Sequence, residues 1–84
     1  MYRIEPDPSV AAQVDALPRD ALLGYAEVLG VMELAPWGGE SINKRNPDGE
    51  VRQLFFGPDG EGMVTYLILE REREVHVLEV QWAG

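Results

Sequence analysis

The chain has 84 residues, which is long enough for one globular domain and too short for two separate cores. Of these residues 45% are hydrophobic and 26% are charged, a composition typical of a globular domain. Fifteen acidic residues against seven basic ones give a net charge of −8, which repels phosphate backbones and argues against direct binding to duplex DNA. Because the sequence contains no cysteine and no long apolar run, we expect a single cytoplasmic domain over residues 1–84, without disulfides, thiolate metal sites, a signal peptide or a membrane span.

The first residues predict a short strand and then a short helix. Tyr2–Glu5 alternates polar and apolar residues until Pro6, as a strand does. Asp7 is the expected N-cap of a helix with Pro8 at its first position, and apolar residues at helical spacing continue to Leu17. The short strand cannot satisfy its own backbone, so it must pair with a strand from later in the chain.

A longer second helix is predicted from Arg19 to Leu34 or Ala35, and Pro36 ends it. Gly24 and Gly30 each cost about 1 kcal/mol relative to alanine in a helix interior, and either glycine is placed to let a neighbouring element approach closely. The apolar stripe that we expect to be buried consists of Leu22, Tyr25, Leu29 and Met32, widened by Val28 and Val31. The two helices together are predicted to form an αα-hairpin.

A long segment rich in turn-forming residues, Pro36–Glu50, follows the helices. It exceeds the usual connection of about 4–6 residues, and loops of this length are often functional. It carries Lys44 and Arg45, the only adjacent pair of bases in the chain. Trp37 and Ile42 are expected to attach the segment to the rest of the domain.

Three strands in a meander are predicted for the C-terminal third. Val51–Phe56 and Gly62–Glu70 flank a turn at Gly57–Gly60, and the second of these strands is apolar on both faces, which places it at the centre of the sheet. Val75–Trp82 forms the last strand. Strict alternation puts on one of its faces the residues His76, Leu78, Val80 and Trp82.

The fold class is therefore α+β: a short strand, an αα-hairpin and a three-stranded antiparallel meander, in the order β-α-α-β-β-β. The first strand is expected to pair with an edge of the meander, and parallel pairing with the last strand is one arrangement that satisfies its backbone. The sequence does not fix the oligomeric state.

This order of elements resembles the RelE/ParE superfamily of bacterial toxins, whose members place two helices before a sheet of this kind. The resemblance extends over nearly the whole chain. It is carried by the opening strand before Pro6, the break at Leu17-Pro18, and the strands around Val51–Leu54, Gly62–Ile68 and Val75–Val80. It implies the toxin component of a toxin–antitoxin pair, with an antitoxin-like protein partner, and in cleaving members an endoribonuclease that acts on messenger RNA at the ribosome.

The resemblance also implies which residues act. Cleaving members use bases and a terminal His or Tyr to activate the 2′-hydroxyl and stabilise the scissile phosphate. Arg52 matches the family's arginine in the first strand of the meander and is the main catalytic candidate. The arginine that commonly opens the central strand is replaced by Met63, and the tail is reduced to Trp82-Ala83-Gly84, so the site implied here is degenerate.

Each candidate also has an ordinary structural explanation. Arg52 would equally serve as a cross-strand charge partner. His76, the sole histidine, has a side chain suited to proton transfer, but a mid-strand histidine is more often packed or hydrogen-bonded. Lys44 and Arg45 are candidates for contact with RNA or a protein partner, although paired bases in a polar segment usually belong to a solvated loop.

No metal site and no cofactor are predicted, because the carboxylates lack ligand spacing and no Walker-type lysine or helix follows the hairpin glycines. Two other functions fit the same residues. The first is a non-enzymatic module that keeps this fold and presents a groove or a strand edge to a partner protein. The second is an unrelated α+β domain with a small-molecule function.

Overall fold

The computed structural model describes residues 1–84. Its helices are α1 (Val10–Asp15), α2 (Arg19–Leu34) and a 3-10 turn (Pro36–Gly38), and its strands are β1 (Arg3–Pro6), β2 (Glu40–Ser41), β3 (Val51–Phe56), β4 (Gly62–Leu69) and β5 (Glu74–Trp82). The strands form one sheet in the order β1-β5-β4-β3-β2, in which β1 is parallel to β5 and every other pair is antiparallel. The predicted α+β class is confirmed, the predicted elements follow one another in the expected order with β2 added, and β1 takes the parallel pairing that was one of the arrangements open to it.

Both helices pack on one face of the sheet, and the hydrophobic core lies between the helices and the sheet. Strand β4 is central, as predicted, and its side chains alternate between buried and half-buried because only one face of the sheet is covered. The core contains Ala21, Tyr25 and Met32 from α2 and Val10 from α1, together with the buried residues of β3, β4 and β5. Neither helix combines the length and apolarity needed to cross a membrane.

The buried stripe of α2 differs from the predicted one. Leu22 and Val31 are exposed, at 40% and 47%, whereas Ala21 is fully buried. Gly24 is the glycine of close approach, since a Cβ there would lie 3.0 Å from the backbone nitrogen of Gly57. Gly30 faces open space. The helix is apolar on its outer side as well, and the sequence pattern did not reveal which side faces the sheet.

Helix α1 starts later than predicted. Asp7 is not its N-cap: the Asp7 carboxylate accepts hydrogen bonds from the backbone nitrogen of Ser9 at 3.1 Å and from its hydroxyl at 2.5 Å. Asp7 thus closes a turn through Pro8, and the helix begins at Val10. The short polar side chain forms a local turn in place of a cap.

The segment Pro36–Glu50 contains a strand that the sequence pattern did not indicate. Strand β2 pairs Glu40 with Gln53 and Ser41 with Arg52, which adds a fifth strand to the sheet. Two residues are too few to show alternation. Beyond it, the prediction that Ile42 anchors the segment is wrong, because this side chain is 52% exposed.

A bulge in β5 overturns the predicted alternation of that strand. Thr65 pairs with Glu79 and Tyr66 with Val77, so Leu78 has no partner on β4. The extra residue shifts the phase, and the residues facing the helices are Val75, Val77, Val80 and Trp82. His76 therefore lies on the opposite face from Val80 and Trp82. Helix α1 fits this irregularity, since the Gln13 side chain accepts a hydrogen bond from the Val80 backbone nitrogen at 2.6 Å.

Candidate functional site

The sheet has two faces, and the register assigns each candidate residue to one of them. We call the covered one the helix face and the other the open face. Cross-strand partners share a face, so Arg52 lies with Tyr66 and Val77 on the helix face. The open face presents Arg3, Glu5, Glu40, Val51, Gln53, Phe55, Met63, Thr65, Leu67, Leu69, Glu74, His76, Glu79 and Gln81.

Arg52 is buried at the β2 end of the helix face, with 8% of its surface exposed. Its Nε donates to the Gly49 carbonyl at 2.9 Å, its Nη1 to the carbonyls of Trp37 and Gly39 at 2.9 Å each, and its Nη2 to the Pro47 carbonyl at 2.8 Å. The guanidinium also lies over the Trp37 ring, 4.9 Å from its centroid. Four of its five N–H groups are thus used inside the segment that precedes β3.

Tyr66 holds the same segment from the centre of the sheet. Its hydroxyl donates to the Pro36 carbonyl at 2.7 Å, and burial raises the pKa of Tyr66 to about 12. Gly39 crosses directly above this hydroxyl, and a Cβ at Gly39 would lie 2.9 Å from the Gln53 carbonyl oxygen as well. Arg52 and Tyr66 together fix the path of the chain from Pro36 to Glu50.

Lys44 and Arg45 are exposed at the outside of this segment and form no ion pair. Lys44 lines a shallow polar concavity that also includes Glu40, Ser41 and the edge of Arg52. Arg45 does not line it; its backbone nitrogen donates to the Asn43 side chain. The structure thus brings Lys44 near Arg52 and leaves Arg45 apart.

His76 lies on the open face in a small charged network at the β1–β5 edge. Its Nε2 lies 2.9 Å from Glu74 Oε1, and Arg3 is hydrogen-bonded to the other oxygen of the same carboxylate. Arg3 Nε also donates to Glu5 at 2.8 Å. Hydrogen bonding from His76, followed by the charge of Arg3, lowers the pKa of Glu74. The histidine therefore has a carboxylate partner, which the sequence did not indicate.

The two catalytic candidates do not form one site. Arg52 lies behind the sheet on the helix face, and His76 lies in front of it on the open face. A phosphate group that contacted one side chain would be separated from the other by the sheet itself. Their individual roles stay predictions, but a mechanism in which both touch the same phosphate is incompatible with this register.

The open face combines an apolar centre with a negative rim. Phe55 is 52% exposed and Leu78, at the bulge, is 40% exposed. The other apolar side chains of this face are half-buried: Met63 pairs with Phe55, and Val51, Leu67 and Leu69 lie towards the other end of the strands, beyond Gln53 and Thr65. Four glutamates, Glu5, Glu40, Glu74 and Glu79, surround this centre, and Arg3 is already paired with two of them. Among the strand residues of this face, no arginine or lysine is unpaired.

Glu70 is a second feature that the sequence did not reveal. Its carboxylate accepts from the Tyr2 hydroxyl at 2.5 Å, from Trp37 Nε1 at 2.8 Å and from Arg73 Nη1 at 2.8 Å. These donors, Tyr2 first, hold the pKa of Glu70 at about 2. The N-terminus, the 3-10 turn and the β4–β5 turn meet at this residue.

No cluster of three or more His, Cys, Asp or Glu side chains in the chain could hold a metal ion.

Known structures share this architecture, although no protein-family model and no curated protein matches the chain. The isolated E. coli RelE toxin superposes with a TM-score of 0.80 at 12% identity, covering 100% of this chain and 86% of that one. The chain has the RelE fold. The intact E. coli RelBE toxin–antitoxin complex matches with a TM-score of 0.75 at 16% identity, covering 100% of this chain and 99% of that one.

The archaeal RelE–RelB complex from Pyrococcus horikoshii has the same fold, with a TM-score of 0.68 at 16% identity over 99% of this chain and 96% of that one. The expected architecture is confirmed by these matches. The RelE fold fixes where each strand and helix lies. What the side chains on it do depends on the register and charges described above.

Proposed function

We propose that this chain is a RelE-like component of a toxin–antitoxin pair that acts by binding another protein through the open face, not by cleaving RNA. The observation that carries the proposal is the chemistry of that face, which has an apolar centre and a rim of four glutamates. In cells the chain is expected to meet an antitoxin-like partner and a protein target. The complexes of similar fold, in which RelE is bound to RelB, support a protein partner.

The absence of a free cation on the open face supports binding over cleavage. Phosphoryl transfer to a 2′-hydroxyl needs positive groups around the phosphate as its charge grows. The single arginine of this face is bound to Glu5 and Glu74, and Arg52 is engaged with backbone carbonyls behind the sheet. With a net charge of −8, the chain repels the RNA backbone before any contact is made.

The apolar centre supports a protein partner over a small molecule. Phe55 is exposed beside a concavity that is open to solvent and also lined by Met63 and Gln81, and no enclosed cavity lies beneath it. Exposed apolar groups with a charged rim are typical of protein interfaces, in which aromatic side chains at the centre contribute most of the affinity. The negative rim fits a partner segment that carries lysine or arginine beside its apolar residues.

Growth of cells that express the chain tests this function. Induction of the wild-type chain is expected to slow growth, and Phe55→Asp is expected to abolish the effect because it places a charge at the apolar centre. The matched control is Leu23→Asp on α2, where the side chain is 68% exposed on the other side of the molecule and the change should leave the toxicity unaltered. Normal growth with soluble wild-type chain, or equal loss of toxicity with both variants, would contradict the proposal.

A ribosome-dependent endoribonuclease is the second candidate function, and the pairing of His76 with Glu74 favours it. A histidine held by a carboxylate is a typical arrangement for proton transfer, and this pair is open to solvent on the face that a substrate could reach. Lys44 and Arg45 would then contribute contacts to RNA at the edge of the sheet. This function needs the positive charge that the open face lacks.

Cleavage of messenger RNA in a purified translation reaction separates the two functions. We expect no cleavage by the wild-type chain. Ribosome-dependent cleavage that disappears in His76→Gln and persists in Phe55→Asp would establish the nuclease and overturn the binding function. Toxicity that persists in His76→Gln and disappears in Phe55→Asp would support the binding function.

A further inference from the structure

The outer side of α2 carries an apolar stripe that nothing in the chain covers. Leu22, Ala26, Gly30 and Leu34 follow one another at four-residue spacing, so they form a single ridge along the helix. Leu22 is 40% exposed and Leu34 is 73% exposed. A Cβ built at Gly30 would meet no atom within 4 Å, so the glycine leaves a gap in the ridge that no other part of the chain fills. This ridge lies on the side of the molecule away from the open face.

The ridge is complementary to itself about Ala26. Leu22 and Gly30 lie four residues before and after Ala26. If a second copy of the helix crosses antiparallel at Ala26, Leu22 of each copy lies opposite the Gly30 gap of the other, and the two alanines allow the helices to approach closely. Such alternation of large and small side chains is how helix ridges interdigitate.

The charges beside the ridge have the same symmetry. Arg19 and Glu33 lie seven residues before and after Ala26 and, since seven residues make nearly two turns, both are within about 20° of the direction of Ala26. Neither side chain forms an ion pair within the chain. In the antiparallel arrangement Arg19 of each copy lies opposite Glu33 of the other, so two ion pairs form at the ends of the contact.

From this self-complementarity we propose that the outer side of α2 is the interface of a symmetric antiparallel homodimer. Its contact is isologous, as in most two-fold oligomers: Leu22 meets Gly30, Ala26 meets Ala26 and Arg19 meets Glu33. The contact of one helix with one helix is small, so the association belongs to the weak class. The dimer leaves the open face of both copies free, and this proposal therefore does not depend on the proposed function.

Sedimentation equilibrium of the full chain measures the association, at concentrations from about 10 µM to 1 mM and at physiological salt, where the mutual repulsion of two acidic chains is screened within about 8 Å. We expect a concentration-dependent dimer. A chain that stays monomeric up to the highest concentration overturns the proposal.

Gly30→Gln is the first variant. It fills the gap that receives Leu22 and is expected to weaken dimerisation at least about tenfold, the effect of losing one good contact. The folded monomer should become more stable, because glycine is a poor helix former and a Cβ at this position meets no atom within 4 Å. Unchanged dimerisation in this variant counts against the interface.

Charge reversal tests the antiparallel geometry. Arg19→Glu alone and Glu33→Arg alone each place like charges opposite one another in a homodimer, and both are expected to be more monomeric than the wild type. An equimolar mixture of the two variants restores both ion pairs in a heterodimer, and its association should return to the wild-type level. A mixture that stays monomeric contradicts the proposed geometry.

A matched pair of leucines locates the interface. Leu22 on α2 and Leu78 on the open face are each 40% exposed, so replacing either by glutamine removes a similar exposed apolar side chain. Leu22→Gln is expected to weaken dimerisation and Leu78→Gln to leave it unchanged. The reverse result would place the dimer contact on the open face and overturn the proposal.

Discussion

Replacing Arg52 by alanine is expected to destabilise the fold and to release the segment between Pro36 and Glu50. The guanidinium donates four hydrogen bonds to carbonyls of Trp37, Gly39, Pro47 and Gly49, and between Pro47 and Gly49 no other hydrogen bond joins the segment to the sheet. If Arg52 were instead a catalytic cation waiting for a phosphate, its removal would cost little stability.

The expected loss follows from the burial of each hydrogen bond. The bond to the Gly39 carbonyl is buried, and a buried bond to a charged donor contributes roughly 1.5–3 kcal/mol. The other three are partly solvated, at about 0.5–1 kcal/mol each, and water replaces part of them once the segment opens. The sum is about 3–6 kcal/mol, a large fraction of the roughly 4–13 kcal/mol expected for a chain of this length.

Urea denaturation followed by circular dichroism measures this loss, and hydrogen exchange of the Ile42 amide, which donates to the Val51 carbonyl, reports whether the segment opens. Arg52→Lys keeps the charge but cannot reach four carbonyls with one ammonium group, so it should recover less than half of the stability. Lys44→Ala, an exposed base in the same segment, is the control and should change stability by less than about 0.5 kcal/mol.

A loss below about 1 kcal/mol in Arg52→Ala, with unchanged protection of the Ile42 amide, would refute the reasoning. Arg52 would then be free to contact a ligand, and the phosphate-binding role implied by the resemblance would regain support. A large loss with fast exchange at Ile42 would mean that any effect of this substitution on activity reflects the path of the segment.

Two further predictions concern the residues around this segment. The pKa of Glu70 is held at about 2, below its ordinary 4.5, so its carboxylate stabilises the folded chain above that ordinary value, and the stabilisation is lost as the pH falls from about 4.5 towards 2. Urea denaturation across this window should show a shallower decline in stability for Glu70→Gln than for the wild type, whereas parallel curves would contradict the assignment. Gly39→Ala should lower stability by about 1–3 kcal/mol because its Cβ would crowd the Tyr66 hydroxyl and the Gln53 carbonyl. Gly38→Ala, whose Cβ meets no atom within 4 Å, is the control, and an equal loss in both variants would contradict this explanation.

Long periodic elements were predictable from the sequence, and short irregular ones were not. The bounds of α2 and the central place of β4 follow from many residues that obey one pattern, so a single deviation does not change the result. The two-residue strand β2 has no such pattern and exists because Glu40 and Ser41 pair with β3. The bulge at Leu78 depends on the pairing of β5 with β4, which only the folded sheet defines.

The candidate site was less predictable because it depends on which face each residue occupies. The strand containing Arg52 was correctly located, but its register with Tyr66, which places the arginine behind the sheet, is a tertiary property. In the same way, the bulge separates His76 from Val80 and Trp82. No local signal marks Glu70 as a common acceptor, since its donors Tyr2 and Trp37 lie 68 and 33 residues away.

The distribution of charge over the two faces links the fold to the choice of partner. The chain has few bases, and the two that would matter most for a phosphate, Arg52 and Arg3, are already bound to carbonyls and to carboxylates. The open face consequently keeps its negative rim in the folded state, which opposes RNA and attracts a basic protein segment. Added salt screens both interactions, but with opposite results. It weakens the attraction between the open face and a basic segment, and it reduces the repulsion between the open face and RNA. A partner that leaves the open face as salt rises is therefore the behaviour expected of the binding function, whereas a nuclease hindered by this rim would gain activity over the same range.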